Sequence, residues 1–392
     1  MTLSYIEIQG FRSIRRIRMP LRRLTVLVGA NGVGKTNLYR SLELLHAAAT
    51  GTLAHEIARE GGLNSIFWAG GRNLSPDGSF DPKYRTDGLR KSEGNRLTLE
   101  ARLEDMGDDG AAMTYRLELG YPTCSAAAFT LEAQVKAETL TMRSGQRNHV
   151  MMERKGPAVF ARDSSGKRTE DTETLLPSET ALAHLGNVPA LAATRMALAN
   201  WRFYHSFRTD PDSPLRRPAP AVTAPMLASN GSNLAAVLAT LRFIRGDTAD
   251  LDEAIGEAFP GARLEVDPPD DFATFSMIFP ETPKRPFGAH ELSDGTLQFL
   301  ALAGALLAYR LPPFIALNEP ETSIHPNLIP ALARLISRAA ERTQIWVVTH
   351  SRELADALAD STGALPREVI RKDGATWIEG LHELGLTPEE DD

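Results

Sequence analysis

The stretch Gly29-Ala30-Asn31-Gly32-Val33-Gly34-Lys35-Thr36 decides the fold that the sequence predicts. It fits the pattern G-x-x-x-x-G-K-S/T, in which glycines let backbone N–H groups converge on phosphate oxygens where a Cβ atom would clash. The lysine supplies a positive charge to the β and γ phosphates, and the hydroxyl of the last residue supplies a ligand for Mg²⁺. The residues that we expect to bind a nucleotide are Asn31, Gly32, Val33, Gly34, Lys35 and Thr36.

The sequence on either side of this loop has the pattern that a phosphate loop requires. Leu24 to Val28 is a nearly continuous apolar run, typical of a buried parallel strand. After the loop, Leu38, Leu42 and Leu45 recur on one face of a predicted helix, and the positive end of its dipole favours phosphate. The alternative is a glycine-rich turn that opens an ordinary helix. The strand and the helix together favour the phosphate loop.

The composition predicts a globular protein with a large core. The chain has 392 residues, of which 42% are hydrophobic and 24% are charged. Its single cysteine, Cys124, excludes internal disulfides and suits a reducing cytosol. The most apolar helical run, Phe299 to Ala308, is shorter than the ~20 residues that a membrane span needs, and no export signal opens the sequence. We therefore expect a cytoplasmic protein without a membrane segment.

The net charge of −7 argues against nonspecific nucleic-acid binding over the whole surface. A local exception is the arginine cluster, which comprises Arg12, Arg15, Arg16, Arg18, Arg22 and Arg23. Because it is interleaved with Ile14, Ile17 and Met19, the cluster fits a half-buried strand with a basic solvent face. A patch that binds DNA phosphates is the alternative.

The middle of the chain has two kinds of pattern. Alternation of apolar and polar residues predicts antiparallel strands over Leu97–Leu103, Met113–Leu119, Phe129–Met142 and Val150–Val159. Helical patterns follow over Ser178–Trp201 and Ser232–Arg245, and the proline-rich loop Asp210–Pro225 between them is interpreted as a rigid, solvated connector. The stretch Asp163–Thr174 is expected to be an exposed connection.

The last hundred residues alternate between helices and short apolar strands, which implies a parallel sheet covered by helices. The predicted elements are the strands Phe314–Leu317 and Gln344–Val348, the helices Asn327–Ala340 and Arg352–Ala359, and a final strand pair near Val369 and Thr376. We expect 1–50 and 250–392 to form one discontinuous domain, 51–175 a loop-rich antiparallel lobe, and 176–249 a helical insertion.

Three later positions carry chemistry. Ser293 and Gly295 precede the apolar helix Leu297–Tyr309, so they lie at an N-terminus that can bind an anion, although a plain serine cap is the alternative. Glu319 follows a buried strand, at the edge where α/β proteins bind ligands, and its carboxylate can act as a general base. His350 follows the next strand and would reach the same edge, although a lone histidine is more often structural.

The motifs, taken in order, resemble the ABC-type ATPase heads of the SMC, RecF and OLD families. The phosphate loop follows Gly10-Phe11-Arg12-Ser13, and Glu291-Leu292-Ser293-Asp294-Gly295-Thr296 resembles the ABC signature, whose commonest form is Leu-Ser-Gly-Gly-Gln. Ile315 to Glu321 resembles the Walker B strand, Thr322 to Pro326 the D-loop, and Val347 to Ser351 the switch-histidine segment. As a whole, the sequence is most similar to stand-alone bacterial AAA-type ATPases of the OLD-like group.

This resemblance implies an α/β P-loop NTPase with a mixed sheet, helices on both faces, an antiparallel strand lobe and a helical insertion. It implies ATP and Mg²⁺ as ligands, Glu319 and His350 as catalytic residues, and Arg12 close to the nucleotide. It also implies a homodimer joined head to head around ATP, in which Ser293 and Gly295 bind the γ-phosphate of ATP held by the other protomer. The position of the Q-loop glutamine is open, with Gln134 as a weak candidate.

Asn318 departs from the pattern of these families, in which aspartate helps to hold Mg²⁺. Asparagine brings no charge to the ion, so we expect a lowered metal affinity or slow hydrolysis.

The motifs leave two functional classes open: an ATPase in DNA repair or anti-phage defence that acts with a partner effector, and a nucleotide-controlled regulator that assembles with a partner protein without acting on DNA. A transporter subunit is disfavoured because the Phe-Arg-Ser turn resembles the SMC side.

Overall fold

The computed structural model describes residues 1–69, 96–104, 111–122, 129–145, 147–162, 166–171, 175–185, 188–246, 248–268 and 270–381. Cys124 and the acidic tail Glu389–Asp392 lie outside these residues. Within them, no helix is long and apolar enough to cross a membrane.

The strands are β1 (Thr2–Phe11), β2 (Ile14–Pro20), β3 (Leu24–Val28), β4 (Arg96–Glu104), β5 (Ala112–Gly120), β6 (Gln134–Ser144), β7 (Arg147–Lys155), β8 (Ala158–Arg162), β9 (Arg168–Asp171), β10 (Arg202–Tyr204), β11 (Ala219–Pro220), β12 (Arg263–Glu265), β13 (Phe272–Ala273), β14 (Ser276–Ile278), β15 (Phe287–Gly288), β16 (Phe314–Asn318), β17 (Gln344–Thr349), β18 (Arg367–Lys372) and β19 (Ala375–Ile378).

The α-helices are α1 (Lys35–Thr50), α2 (Leu53–Arg59), α3 (Leu63–Ile66), α4 (Ala181–His184), α5 (Pro189–Ala199), α6 (Leu234–Thr240), α7 (Ala249–Ala258), α8 (Asp294–Leu306), α9 (Ile329–Ala340) and α10 (Arg352–Thr362). Short 3-10 turns span Pro214–Arg216 and Pro326–Leu328, and a π-helical turn spans Leu241–Arg245.

The chain divides into two compact units. The first comprises Met1–Arg22, Ala30–Trp201 and the residues from Glu368 onward, and the second comprises Arg23–Gly29 and Arg202–Arg367. This division differs from the predicted one, which joined 1–50 to 250–392 and set 51–175 apart. The reason is the pairing of β1 with β4, which joins the first strands of the chain to the antiparallel lobe.

The first unit is built on an eight-stranded antiparallel sheet with the order β2-β1-β4-β5-β6-β7-β8-β9. Its strands alternate between buried and half-buried residues, as an antiparallel sheet with one packed face should. Helix α1 contacts β1, β4, α4 and α5. The predicted helical face of α1 is confirmed, since Leu38, Leu42 and Leu45 are all buried.

The second unit is built on four parallel strands in the order β10-β16-β17-β3. Every residue of β3, β16 and β17 is buried, which explains their mostly apolar sequences. Helix α8 is apolar on nearly all sides and is buried from Thr296 to Leu306, in contact with α6 and α9. These strands and helices share one hydrophobic core.

Several predicted boundaries in the antiparallel lobe were wrong. The run Val150–Val159 was predicted as one strand, but β7 and β8 divide it at Gly156, where a φ of 61° turns the chain. The strand predicted from Phe129 begins only at Gln134, the first residue of β6. Part of the predicted exposed connection Asp163–Thr174 forms β9, which pairs with β8.

Candidate functional site

The phosphate loop leads into α1 with its backbone open for an anion. Among the described residues, no side chain caps the start of α1, and its N-cap residue Gly34 has a φ of 101°, which a residue with a Cβ atom rarely adopts. Gly32 also lies in the left-handed region, with a φ of 81°. The Nζ of Lys35 donates a hydrogen bond to the carbonyl oxygen of Ala30 at 2.9 Å, so the lysine folds back over its own loop.

Thr376 of β19 holds this loop in place within the first unit. Its Oγ1 donates to the carbonyl oxygen of Val33 at 2.8 Å and lies 2.6 Å from the Oγ of Ser13. Its backbone N–H donates to the carbonyl oxygen of Ser13 at 2.7 Å. A Cβ atom on Gly34 would lie 1.9 Å from Thr376 Oγ1 and 2.6 Å from Ser13 Oγ. Glycine is therefore required at position 34 by space as well as by backbone conformation.

Arg12, the predicted phosphate contact in the turn after β1, contacts the side chains of Glu60 and Asn37. Its Nη2 lies 2.5 Å from the Oε2 of Glu60, and its Nη1 donates to the Oδ1 of Asn37 at 3.4 Å. Asn37 lies in the first turn of α1 and donates from Nδ2 to the Oγ of Ser13 at 2.7 Å. Arg12 is thus held beside the start of α1, and its contact with phosphate stays a prediction.

The second unit gathers three predicted residues at the carboxyl ends of its parallel strands. In the register of these strands, Asn318 pairs with Val348, and Thr349 pairs with Val28, the residue before the phosphate loop. Glu319, Gly29 and His350 therefore emerge at the same edge of the sheet. Glu319 has a φ of 50° and donates its N–H to the carbonyl oxygen of Val348 at 2.7 Å. A strained non-glycine residue at a sheet edge is typical of a functional site.

Glu321, the last residue of the segment that resembles a Walker B strand, organises the segment that carries His350. Its Oε1 accepts hydrogen bonds from Thr349 Oγ1 at 2.5 Å, from His350 N at 3.1 Å and from Ser351 N at 3.3 Å. His350 Nδ1 lies 3.2 Å from Glu321 Oε1 and 3.8 Å from Glu319 Oε1. The side chain of Glu321 is 6% exposed and that of Glu319 is 32% exposed. Glu321 is thus suited to hold the edge, and Glu319 is the carboxylate that can reach a ligand.

The donor set at this edge fits a hydrated divalent cation. Asn318 Oδ1 and Glu321 Oε2 are buried, and neither has a hydrogen-bond partner among the residues that the structure describes. Buried oxygen atoms without a donor are costly unless a water molecule or an ion completes them. Mg²⁺ keeps several of its water molecules and binds through oxygen ligands, so these two atoms can accept hydrogen bonds from its hydration shell.

His205 is a member of this edge that no sequence pattern indicated. It follows β10, which pairs with β16, so it lies beside the end of β16. The Nδ2 of Asn318 lies 2.8 Å from the Nδ1 of His205. An amide nitrogen can only donate, so the histidine accepts, and the amide oxygen of Asn318 is left for another partner.

The segment predicted to resemble the ABC signature forms the start of α8. Ser293 is its N-cap, and Ser293 Oγ accepts from Thr296 N at 3.2 Å. The serine cap, the alternative interpretation of Ser293, is therefore present. Such a cap does not exclude an anion at the N-terminus of α8. A Cβ atom on Gly295 would lie 2.8 Å from the carbonyl oxygen of Ser323, so glycine allows the D-loop to approach. Ser293, Gly295, Ser323 and His325 line an open cleft of about 820 Å³.

The arginine cluster is largely committed to protein partners. Arg16 and Arg18 lie 2.9 Å and 3.0 Å from the two carboxylate oxygens of Glu7, which is buried. Arg23 donates to the carbonyl oxygens of Ala340 and Glu341 at the end of α9. The cluster is thus a set of internal contacts on and next to β2. Gln134 lies at the start of β6 in the antiparallel sheet, paired with Gly120.

Known structures with a similar fold are heads of SMC proteins. A crystal structure of the SmcHead bound to the C-winged helix domain of ScpA matches with a TM-score of 0.55 and 15% identity, over 96% of this chain and 97% of the other. An Smc head domain with an extended coiled coil, bound to the C-terminal domain of ScpA derived from Pyrococcus furiosus, matches with a TM-score of 0.54 and 14% identity, over 96% and 95% of the two chains. These likenesses confirm the predicted fold class.

The sequence is similar to a curated relative and to a protein family. Arcadin-4 of Pyrobaculum calidifontis is 31% identical over 121 residues, a match that spans 30% of this chain and only 15% of the relative. The family described as "AAA domain, putative AbiEii toxin, Type IV TA system" matches residues 24–356, which include the phosphate loop and the whole sheet edge. The chain belongs to this AAA-domain family, and its fold is that of an ABC-type ATPase head of the SMC and RecF type.

Proposed function

We propose that this protein binds ATP, hydrolyses it slowly, and associates head to head with a second copy around the nucleotide. The observation that carries the proposal is the edge of the parallel sheet in the second unit. There Glu319, His350 and Asn318 follow neighbouring strands, beside the strand that leads into the phosphate loop. A base, a polar partner and a metal-facing oxygen are the groups that phosphoryl transfer to water requires.

Each residue has a role in this proposal. Residues Asn31 to Thr36 bind the phosphates through backbone N–H groups and Lys35. Mg²⁺ would be held by Thr36 and, through water, by Asn318, and it would neutralise charge on the phosphates. Glu319 orients and deprotonates the attacking water, and His350, close to its carboxylate, contacts the γ-phosphate. Asn318 brings no charge, which is why we propose a slow reaction.

The second copy completes the site. Ser293 and Gly295 lie at the N-terminus of α8, a 13-residue helix, and they line the open cleft beside the D-loop. A helix N-terminus attracts phosphate through its backbone N–H groups and its dipole. We propose that this N-terminus receives the γ-phosphate of ATP bound by the other protomer, so that two sites form only in the dimer.

For the biological role we propose anti-phage defence with a partner effector in the cytoplasm, and DNA repair as the related possibility. The family description names the AbiEii toxin and a type IV toxin–antitoxin system, which supports defence. The similar SMC heads are bound to domains of ScpA, which supports a partner protein. A second candidate is a regulator that does not act on DNA. It is favoured by the pairing of Arg16 and Arg18 with Glu7, which lowers the charge available for DNA phosphates.

The Glu319→Gln variant tests this proposal in two measurements. In a phosphate-release assay, we expect ATP hydrolysis to fall by at least about 10²-fold, because a general base contributes that much or more. In mass photometry with and without ATP and Mg²⁺, we expect the ATP-bound dimer to accumulate. The matched control is Glu353→Gln, an exposed glutamate in the first turn of α10, which should behave like the wild type. If Glu319→Gln remains monomeric with ATP, the head-to-head mechanism is wrong.

The two candidate roles separate in a DNA-binding experiment. An ATPase that acts on DNA should bind it more tightly with ATP and more weakly as salt is raised, and the triple change of Arg15, Arg16 and Arg18 to Gln should abolish binding. A regulator should bind no DNA under any of these conditions.

A further inference from the structure

We propose that Arg216 is a positioning residue for the signature segment, Ala289 to Gly295, and that it makes the N-terminus of α8 competent to receive phosphate from a second copy. Arg216 lies in the proline-rich loop that the sequence indicated to be only a solvated connector. The inference rests on the proposed function, because it concerns the half of the site that acts on the other protomer.

The guanidinium of Arg216 holds the signature segment at four points. Its Nη1 donates to three backbone carbonyl oxygens, those of Ala289 at 3.3 Å, His290 at 3.1 Å and Leu292 at 2.8 Å. Its Nη2 donates to the Oδ1 of Asp294 at 2.8 Å. A planar guanidinium with several fixed donors can fix a loop in this way, whereas a lysine ammonium offers a single point of charge.

The other end of Arg216 is anchored in the core of the second unit. Its Nε donates to the carbonyl oxygen of Thr209 at 2.8 Å, and its side chain is 10% exposed. The preceding residue, Leu215, is 1% exposed and belongs to the hydrophobic core. Ser213, which is fully buried, begins the 3-10 turn by accepting a hydrogen bond from Leu215 N at 3.1 Å. The guanidinium is therefore presented from a rigid base.

The charge of Arg216 matters because of Asp294. This aspartate stands in the first turn of α8, where the commonest form of the signature has glycine, and its carboxylate would repel a phosphate that approaches the same N-terminus. The ion pair with Arg216 neutralises that carboxylate while the three carbonyl contacts fix the backbone around Ser293. Arg216 thus supplies both the shape and the charge that an incoming γ-phosphate needs.

The proposal predicts that Arg216 acts on the nucleotide of the other protomer and not on its own. We expect Arg216→Ala to bind a fluorescent ATP analogue within about twofold of the wild type, since its phosphate loop is untouched, and to lose ATP-driven dimerisation by at least tenfold. Arg216→Lys keeps the positive charge but not the planar guanidinium with its several donors, so its ATP-driven dimerisation should lie between that of the wild type and that of Arg216→Ala. Arg217→Ala is the matched control: Arg217 is 66% exposed, its nearest carboxylate, Asp212, is 3.9 Å away, and its removal should change nothing.

The deciding experiment mixes inactive variants. Arg216→Ala keeps its phosphate loop, and Lys35→Ala keeps its signature segment, so a mixed dimer contains one complete site. We expect each variant to be inactive alone and the mixture to recover ATP hydrolysis. Ser293→Arg mixed with Lys35→Ala serves as the reference for an intact composite mechanism.

Each outcome has one meaning. Recovery in both mixtures supports the proposal. Recovery with Ser293→Arg but not with Arg216→Ala overturns it, because Arg216 would then be needed by its own protomer. The proposal also fails if Arg216→Ala alone dimerises and hydrolyses ATP like the wild type. If the Ser293→Arg mixture is inactive and the wild type does not dimerise with ATP, the proposed function itself is wrong.

Discussion

Asn318 donates a hydrogen bond from its amide nitrogen to the Nδ1 of His205 across 2.8 Å, which fixes the orientation of the amide at the end of the Walker B strand. The amide oxygen is buried and has no partner among the described residues, so it is the atom of Asn318 that is left to bind a water molecule or an ion. An aspartate at position 318 could not donate a hydrogen bond to the Nδ1 of His205, so this hydrogen bond requires the asparagine.

We expect Asn318→Asp to raise the affinity for Mg²⁺, since a carboxylate oxygen is a better ligand for this ion than an amide oxygen. The Mg²⁺ concentration for half-maximal ATP binding, measured by calorimetry, should fall by roughly tenfold, the difference that about 1.4 kcal/mol makes. Nitrogen NMR should show His205 with a proton on Nδ1, because the carboxylate can only accept. Asn318→Ala removes the amide oxygen and should weaken Mg²⁺ binding. If Asn318→Asp leaves the Mg²⁺ dependence of ATP binding unchanged, position 318 does not contact the hydrated metal.

We expect Thr349→Val to destabilise the second unit. Thr349 is 0% exposed, and its hydroxyl donates to the buried Glu321 at 2.5 Å, so valine would leave a buried carboxylate with one donor fewer. Losing a donor to a buried charged group costs about 1–3 kcal/mol, and urea unfolding measures it. Thr349→Ser keeps the hydroxyl and should lose much less. Equal stability of the valine variant and the wild type would contradict the role given to Glu321.

We expect Gly34→Ala to abolish nucleotide binding. The new Cβ atom would meet Thr376 Oγ1 at 1.9 Å, and the backbone would be held at a φ of 101°. Gly32→Ala is the natural comparison, because Gly32 has a φ of 81° but no atom of the described residues within 4 Å of its would-be Cβ. Gly32→Ala should lower the free energy of unfolding by only about 1–2 kcal/mol, the cost of a non-glycine residue in the left-handed conformation. Binding of a fluorescent ATP analogue and thermal unfolding distinguish the two, and similar defects in both variants would show that space at Gly34 is unimportant.

We expect the stability of the first unit to depend on the ionisation of Glu138. Burial raises the pKa of this fully buried carboxyl, although it accepts hydrogen bonds from Leu182 N at 2.9 Å, Ala181 N at 2.7 Å and Tyr115 Oη at 2.8 Å. A folded-state pKa above the unfolded one favours the folded state at low pH, and that contribution is lost as the pH rises through the folded pKa.

The measurement compares wild type with Glu138→Gln by urea unfolding at pH 5 and pH 7. Since the glutamine side chain of this variant cannot ionise, the wild type should gain stability relative to the variant at pH 5. Glu138→Ala should cost about 3 kcal/mol or more at pH 7, because it leaves Arg154, 1% exposed and 4.0 Å from Glu138, without its carboxylate. A difference between wild type and Glu138→Gln that is the same at both pH values would contradict the raised pKa.

The sequence was sufficient to place residues that directly follow a buried strand. The common edge of Glu319 and His350 could be predicted because β16 and β17 are mostly apolar and parallel strands end at one edge. Gly34 and Lys35 could be predicted because their pattern is local. The contacts of Glu321 could not be predicted, because its partners Thr349, His350 and Ser351 lie about thirty residues further on and no local pattern joins them.

His205 and Arg216 could not have been found in this way. His205 reaches Asn318 only because β10, a strand of three residues, pairs in parallel with β16, and so short a strand leaves almost no signal. Arg216 lies in a stretch whose prolines indicate a connector, and its partners are mostly backbone carbonyl oxygens, which every sequence offers. The ion pairs of Arg16 and Arg18 with Glu7 could not be predicted for a related reason, because they require the pairing of β1 with β2.

The hydrogen bond from Thr376 to Val33 joins positions 343 residues apart in the chain. During synthesis, the threonine that fastens the phosphate loop therefore leaves the ribosome 343 residues after Val33 does. Strand β2 and the turn at Ser13 must therefore wait with one side uncovered until β19 arrives. Until then, the phosphate loop of a nascent chain lacks the hydrogen bond that Thr376 supplies.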